Sequence, residues 1–147
     1  MRSVRKLVLV GVCAGAVLGC GDSGTGPAPV NLVGTWHATS LRVTSVAHPA
    51  NTVDLHAVGV TLQVVFTSNH TFTSTFTSPG NAPDVSTGTY AQTATSLTLT
   101  DDLSSGGDVL VFTLTSSAGA LLLSGGPLDF DFGTGEEPSR LDLTLVH

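Results

Sequence analysis

The clearest structural pattern of this chain lies in residues 58–77, which read VGVTLQVVFTSNHTFTSTFT. Apolar side chains occupy every second position from residue 58 to residue 66, and the positions between them are mostly polar. Because successive side chains of a strand point to opposite faces of a sheet, this period of two predicts a half-buried strand. Ser-Asn-His at 68–70 predicts a turn, and beyond it Phe72 and Phe76 share one face while threonines occupy the other. The segment therefore predicts a β-hairpin.

The same alternation continues through most of the chain, and threonine, which suits a pleated surface, is abundant. Six further strands are predicted, at residues 33–46, 85–93, 96–101, 108–115, 119–124 and 140–146. Glycine, proline or serine at 78–80, 106–107, 116–117 and 125–127 predict breaks between them. About eight short strands with tight turns indicate an all-β, up-and-down antiparallel meander. Closure into a barrel is expected because it removes exposed sheet edges, and a β-sandwich is the alternative.

The first 19 residues have the layout of a secretory signal. Three of the five basic residues lie within the first six positions, and an apolar run of roughly a dozen residues follows, too short to span a bilayer. The run ends in Val17-Leu18-Gly19-Cys20, which resembles the lipobox of bacterial lipoproteins, although Leu18 is not the usual small residue. The resemblance implies cleavage before Cys20 and acyl chains, such as palmitate, on that cysteine. The alternative is an ordinary signal peptide whose cysteine is incidental.

This lipoprotein resemblance implies a protein held in the cell envelope by two or three acyl chains. Each buried methylene contributes about 0.8 kcal/mol, so such an anchor is effectively permanent. Gly21 follows the cysteine where aspartate would be the retention signal, which implies the outer membrane in a Gram-negative cell. Residues 20–30 are expected to be the lipidated cysteine and a flexible tether rich in glycine and proline. Residues 31–147 are expected to form one domain.

The charge of the segment beyond residue 19 excludes one class of partner. Only Arg42 and Arg140 oppose eleven acidic residues there, which gives a net formal charge of about −9. Such a surface repels phosphate backbones, so nucleic-acid binding is not expected and the membrane is reached through the lipid anchor. Cys13 lies in the signal segment and Cys20 is the lipidation candidate, so no disulfide is expected.

No sequence motif of the domain indicates catalysis, a metal or a cofactor. A nucleophile elbow, a phosphate loop and a dinucleotide fingerprint are all absent from the sequence, and the five histidines lack metal-ligand spacing. Residues 129–137, DFDFGTGEE, resemble part of a calcium loop but lack two of its oxygen ligands, so we expect a solvated acidic loop there. The Gly-Asp-Ser-Gly of residues 21–24 resembles a serine-protease motif, but a nucleophile on a flexible tether cannot be held in line with a base. We therefore expect a protein that is not an enzyme.

Two short motifs resemble lipocalins and lipocalin-like bacterial domains. Gly34-Thr35-Trp36 opens the first predicted strand, and Gly88-Thr89-Tyr90 lies mid-domain. The resemblance implies a lipocalin-like barrel in which Gly34 lets the chain pass close under the floor and Trp36 plugs that end. Trp36 and Leu41 have opposite parity along the strand, so a bulge between them is expected.

The barrel interior is the candidate ligand site. The residues proposed to bind a ligand are Trp36, Leu62, Val64, Phe66, Phe72 and Phe76. The other residues expected to point inward are Val60, Leu97, Leu99, Leu141, Leu143 and Leu145. An eight-stranded barrel either is filled by side chains or holds one small ligand, and the sequence does not distinguish these outcomes.

Two functions remain open at this point. The first is a membrane-anchored, non-catalytic lipocalin-like lipoprotein that binds a small hydrophobic ligand. The second is a structural or protein-interaction lipoprotein of the envelope, with a filled barrel and a contact surface at residues 129–137 or on the threonine face; the sequence names no protein partner. An apolar cavity of several hundred cubic ångströms would favour the first function.

Overall fold

The computed structural model describes residues 29–102 and 108–147 of the chain. The predicted signal segment, most of the tether and the lipidation candidate Cys20 lie outside the described residues. The strands are β1 (Gly34–Ser45), β2 (Thr52–Asp54), β3 (Thr61–Phe66), β4 (Thr71–Thr77), β5 (Asp84–Gln92), β6 (Ser96–Asp101), β7 (Val109–Ser117), β8 (Ala120–Asp131) and β9 (Glu136–Val146). A single 3₁₀ turn at His56–Val58 joins β2 to β3. Within the described ranges the structure contains no helix of the length and hydropathy that a membrane span needs.

The sheet closes on itself as an up-and-down antiparallel barrel. Each strand from β3 to β8 pairs with the next along the chain. Strand β1 completes the ring, because its first residues pair with β3 and the rest, from His37 to Ser45, pair with β9. Strand β2 is an extra short strand beside Arg42–Thr44 of β1. The predicted all-β barrel of eight strands is therefore confirmed, and the β-sandwich alternative is wrong.

Strand β1 contains the bulge that its parity requires. Its register against β9 shifts between Ala38 and Ser40. The extra residue lets Trp36 and Ala38 on one side of the bulge and Leu41 on the other all face the interior, where they are buried.

Asp54 supports β1 where the strand changes partners. One edge of β1 pairs with β3 as far as His37 and with β2 only from Arg42 onward. In the gap, the Leu41 N–H donates a hydrogen bond to Asp54 Oδ1 (3.2 Å), and the Ser40 hydroxyl donates to Oδ2 (3.2 Å). The carboxylate thus satisfies backbone and side-chain donors that no strand reaches.

The hairpin of β8 and β9 corrects two predictions. The break predicted at 125–127 is instead a bulge, since the register shifts between Leu123 and Gly126 and both strands continue beyond it. The Gly125 N–H donates to Asp142 Oδ1 (2.9 Å) on β9, which ties the bulge to the partner strand. The segment 129–137, predicted as a solvated loop, belongs largely to the two strands, and its turn occupies only residues 132–135.

Asp131 closes that turn. Its Oδ1 accepts hydrogen bonds from the N–H groups of Gly133 (2.6 Å) and Gly135 (2.9 Å). These bonds, led by the one from Gly135, lower the pKa of the Asp131 carboxyl against a smaller opposing effect of burial. The carboxylate therefore serves the turn, and within residues 29–102 and 108–147 no group of three or more His, Cys, Asp or Glu side chains is arranged to hold a metal ion.

Candidate ligand-binding site

One end of the barrel is filled by apolar side chains. This end, the floor, lies where β1 begins and β9 ends, and it also holds the β3–β4, β5–β6 and β7–β8 turns. The most deeply buried apolar residues of the molecule include Leu32, Phe66, Leu97, Phe112, Leu121, Leu123 and Leu145. Their packing excludes water from the floor.

Trp36 seals the floor beneath this core. Its indole Nε1 donates a hydrogen bond to the Leu32 carbonyl (2.8 Å), and its ring packs against His147 with centroids 3.9 Å apart. Gly34 lies against the same imidazole: a Cβ there would clash with His147 Cε1, and the φ of +143° is one that side chains rarely adopt. A glycine is therefore needed where the chain passes under the floor.

Tyr90 seals the floor on the other side of the barrel. Its hydroxyl donates to the Thr67 carbonyl (2.8 Å), and its ring meets Phe66 edge-on with centroids 5.0 Å apart. Two residues earlier, Gly88 lies so close to Thr100 that a Cβ would clash with its carbonyl oxygen. The two Gly-x-aromatic motifs therefore have the same structural role: the glycine permits close approach and the aromatic ring closes the end.

The other half of the barrel is hollow and open. Its cavity has a volume of about 890 Å³, within the range that small-molecule sites occupy. The opening, the mouth, lies at the end that holds the β4–β5 and β8–β9 turns. Side chains from every strand except the short β2 line the cavity, and most of them are apolar.

Five of the six residues proposed to bind a ligand line this cavity: Leu62, Val64, Phe66, Phe72 and Phe76. Trp36 does not, because it lies below the core in the floor, where it is 3% exposed. Of the other residues predicted to face inward, Leu99, Leu141, Leu143 and Leu145 also line the cavity, whereas Val60 and Leu97 are buried in the core.

Sequence reasoning missed the contributions of β7 and β8 to the cavity. Leu110 and Phe112 line it from β7, but both faces of that strand are apolar, and the alternation does not say which face is inside. Val111 of the alternate set is 50% exposed and does not line the cavity, whereas Val109, the first residue of β7, is 50% exposed and lines it at the mouth. The contributions of β8 beyond residue 127 were hidden by the break predicted at 125–127.

The mouth is acidic on one side. Asp84 of β5, Asp101 of β6 and Asp108 just before β7 all line the cavity. Ser86 lies two residues beyond Asp84 on the same face of β5, and its hydroxyl donates a hydrogen bond to Asp101 Oδ2. The backbone N–H of Asp101 donates to the Asp108 carbonyl (3.0 Å), which holds the ends of β6 and β7 together. The opposite side, formed by β8, β9 and β1, is largely apolar but also carries one carboxylate, Asp129, and one cation, Arg140.

The geometry thus combines a sealed floor, an apolar chamber and a charged rim, with three carboxylates on one side and Asp129 and Arg140 on the other. Comparison with protein families found no family model that matches the chain, and comparison with curated proteins found none with significant similarity.

Proposed function

We propose that this protein is a membrane-anchored, non-catalytic lipocalin-like lipoprotein of the cell envelope that binds a small hydrophobic ligand in the open half of its barrel. The observation that carries the proposal is the apolar cavity of about 890 Å³. Binding is the activity that such a cavity supports without any further group.

The hollow itself favours binding. Protein interiors are normally packed as densely as organic crystals, so a chamber of this size leaves apolar side chains in contact with water. Leu62, Phe76 and Leu99 are only partly buried although they face the interior. An apolar ligand that covers them gains about 25 cal/mol for each square ångström removed from water.

The barrel also holds the cavity in shape before a ligand arrives. Its wall is a closed ring of antiparallel pairs, and the aromatic side chains of the floor are fixed by hydrogen bonds. Because the ligand need not open a core or rearrange these strands, little of their conformational entropy is lost on binding. The rival function, a structural lipoprotein with a filled barrel, lacks this support, since only the floor half is filled.

Binding can be tested with the Cys20→Ala chain and a neutral apolar fluorophore such as N-phenyl-1-naphthylamine. We expect saturable binding of one fluorophore per chain and its displacement by dodecanol. The double variant Leu62→Trp/Leu99→Trp should fill the chamber and abolish the fluorescence increase. Val111→Trp, which adds an indole to the outer face, is the matched control and should bind like the parent. Equal binding by the filled variant and the control would contradict the proposal.

The anchor is tested separately by the intact mass of the protein purified from its native membranes. We expect the mass of the chain from Cys20 onward plus two or three acyl chains, and Cys20→Ala should lose that addition. An unacylated mass would contradict the anchor and leave the binding proposal in place.

A further inference from the structure

The acidic side of the mouth is formed by neighbouring strands. Asp84 and Asp108 face the same chamber from β5 and from the start of β7, and β6 lies between them with Asp101 at its end. The carboxylates therefore sit directly above the apolar space, at the place where the head group of a ligand in the chamber would emerge.

Few cations of the chain are available to balance this charge. Beyond residue 19 the sequence contains only Arg42 and Arg140, on β1 and β9, and residues 103–107 contain no basic residue. Within the described ranges, Asp84 and Asp108 form no salt bridge; the one salt bridge recorded there joins His48 to Glu137 (3.3 Å). The charge of Asp84 and Asp108 is thus left for an external partner to neutralise.

We propose that the ligand is a cationic amphiphile, an amine carried on an apolar chain. The inference rests on the proposed function, because the chain of the ligand occupies the cavity between residues such as Phe72, Phe76 and Leu110. The ammonium group lies at the rim, where Asp84 and Asp108 attract it and their carboxylate oxygens accept its hydrogen bonds.

The same arrangement selects against fatty acids. An anionic head group at this rim meets like charges, and the domain as a whole carries a large negative charge. Arg140 also lines the cavity, from β9, and a preference for anions through Arg140 is the opposite outcome of the test below.

The test compares three probes that share one twelve-carbon chain: dodecylammonium, dodecanol and dodecanoate. Each probe is titrated, below its own critical micelle concentration and at low ionic strength, as a competitor of N-phenyl-1-naphthylamine bound to the Cys20→Ala chain. We expect the cation to bind about ten-fold more tightly than the alcohol and the carboxylate to bind most weakly. Added salt should reduce the differences in affinity among the three probes, because salt screens the charges at the rim.

Two variants test whether the rim carboxylates cause the preference for the cationic probe. Asp84→Asn/Asp108→Asn should remove most of the advantage of the cation while dodecanol binds as before, which also reports that the barrel is intact. Glu136→Gln makes a carboxylate-to-amide change outside the cavity and should leave all three affinities unchanged. If the double variant no longer binds dodecanol, the ranking of the three probes on the parent chain still decides.

The displacement assay distinguishes failure of the proposed function from failure of this inference. If none of the three probes displaces the fluorophore, the proposed function is wrong and this inference falls with it. If all three bind alike, or if dodecanoate binds most tightly, ligand binding stands and the cationic head group is refuted.

Discussion

The Asp54 side chain accepts hydrogen bonds from a part of β1 that neither β2 nor β3 reaches. Its carboxylate accepts hydrogen bonds from the N–H groups of Leu41 and His56 and from the Ser40 hydroxyl. Burial acts to raise the pKa of Asp54, but the hydrogen bonds that the carboxylate accepts, led by those from the backbone N–H groups of Leu41 and His56, together outweigh it, so the pKa lies below its ordinary value. The ionised form is therefore the one that the fold stabilises.

The contribution of Asp54 to the free energy of unfolding depends on pH. Because the pKa of Asp54 is lower in the folded state, its contribution to stability is present above the unfolded pKa of about 3.9 and is lost as the pH falls through the folded value. We expect Asp54→Asn to lower the free energy of unfolding by about 1 kcal/mol at pH 7 and by less at pH 3. Urea unfolding at both pH values measures this, with Asp129→Asn as an exposed control. An equal loss at both pH values would contradict the role of the charge.

Gly34 shows how tightly the floor is built. We expect Gly34→Ala to lower the free energy of unfolding by about 2 to 3 kcal/mol, from backbone strain together with the contact on His147. Gly80→Ala has a positive φ but nothing within 4 Å of its Cβ, so it should cost only about 1 kcal/mol. Thermal unfolding compares them. His147→Ala should restore part of the stability of Gly34→Ala, and its failure to do so would remove the steric explanation.

At the scale of the elements, the β7–β8 hairpin has a turn in which Ala118 adopts a positive φ that alanine does not favour. Ala118 (φ 49°) and Gly119 (φ 82°) form a two-residue connection in which both φ angles are positive, the geometry that favours Asn-Gly. Ala118→Asn should therefore raise the free energy of unfolding by about 0.5 to 1 kcal/mol, and Ala118→Val should lower it. Chemical denaturation separates the two variants. Equal stability of these two variants would contradict the assigned turn.

The strands that the sequence predicted well are those whose pattern is local. The ends of β4 and β6 agree with prediction because alternation and flanking turn residues mark them. The end of β8 and the start of β9 do not, since a glycine pair can end a strand or form a bulge in it, and the choice here involves Asp142, which is 17 residues from Gly125. The short β2 has too few residues for a period to appear.

The residues of the candidate site were likewise predicted only where the local sequence pattern is unambiguous. Phe72 and Phe76 were found from parity on a strand with one polar face, whereas Leu110 and Phe112 of β7 were missed because either face could be inside. The misplacement of Trp36 has another cause: it does face the interior, but a strand that crosses from floor to mouth contributes to the core at one end and to the cavity at the other. Alternation reports the face of a residue and not its height in the barrel.

At the scale of the whole molecule, charge is distributed unevenly. The outward positions of β3 to β7 carry threonine, valine and other uncharged residues, whereas the carboxylates gather at the mouth and near β9. Like charges at the mouth repel one another, and salt screens that repulsion. We expect added sodium chloride to raise the melting temperature at pH 7, and Asp84→Asn/Asp108→Asn to reduce that rise. A melting temperature independent of salt in the parent chain would contradict the expectation.

The chain enters the barrel at its floor. The Gln92 side-chain amide donates a hydrogen bond to the Val30 carbonyl, which fastens the first described residues beside the start of β1. If the chain is anchored at Cys20 as proposed, the tether joins the barrel at its floor, and the mouth lies at the end opposite to this attachment. A ligand would then enter the barrel at the end opposite to the point of attachment, so a membrane lipid would have to leave the bilayer before it could reach the cavity.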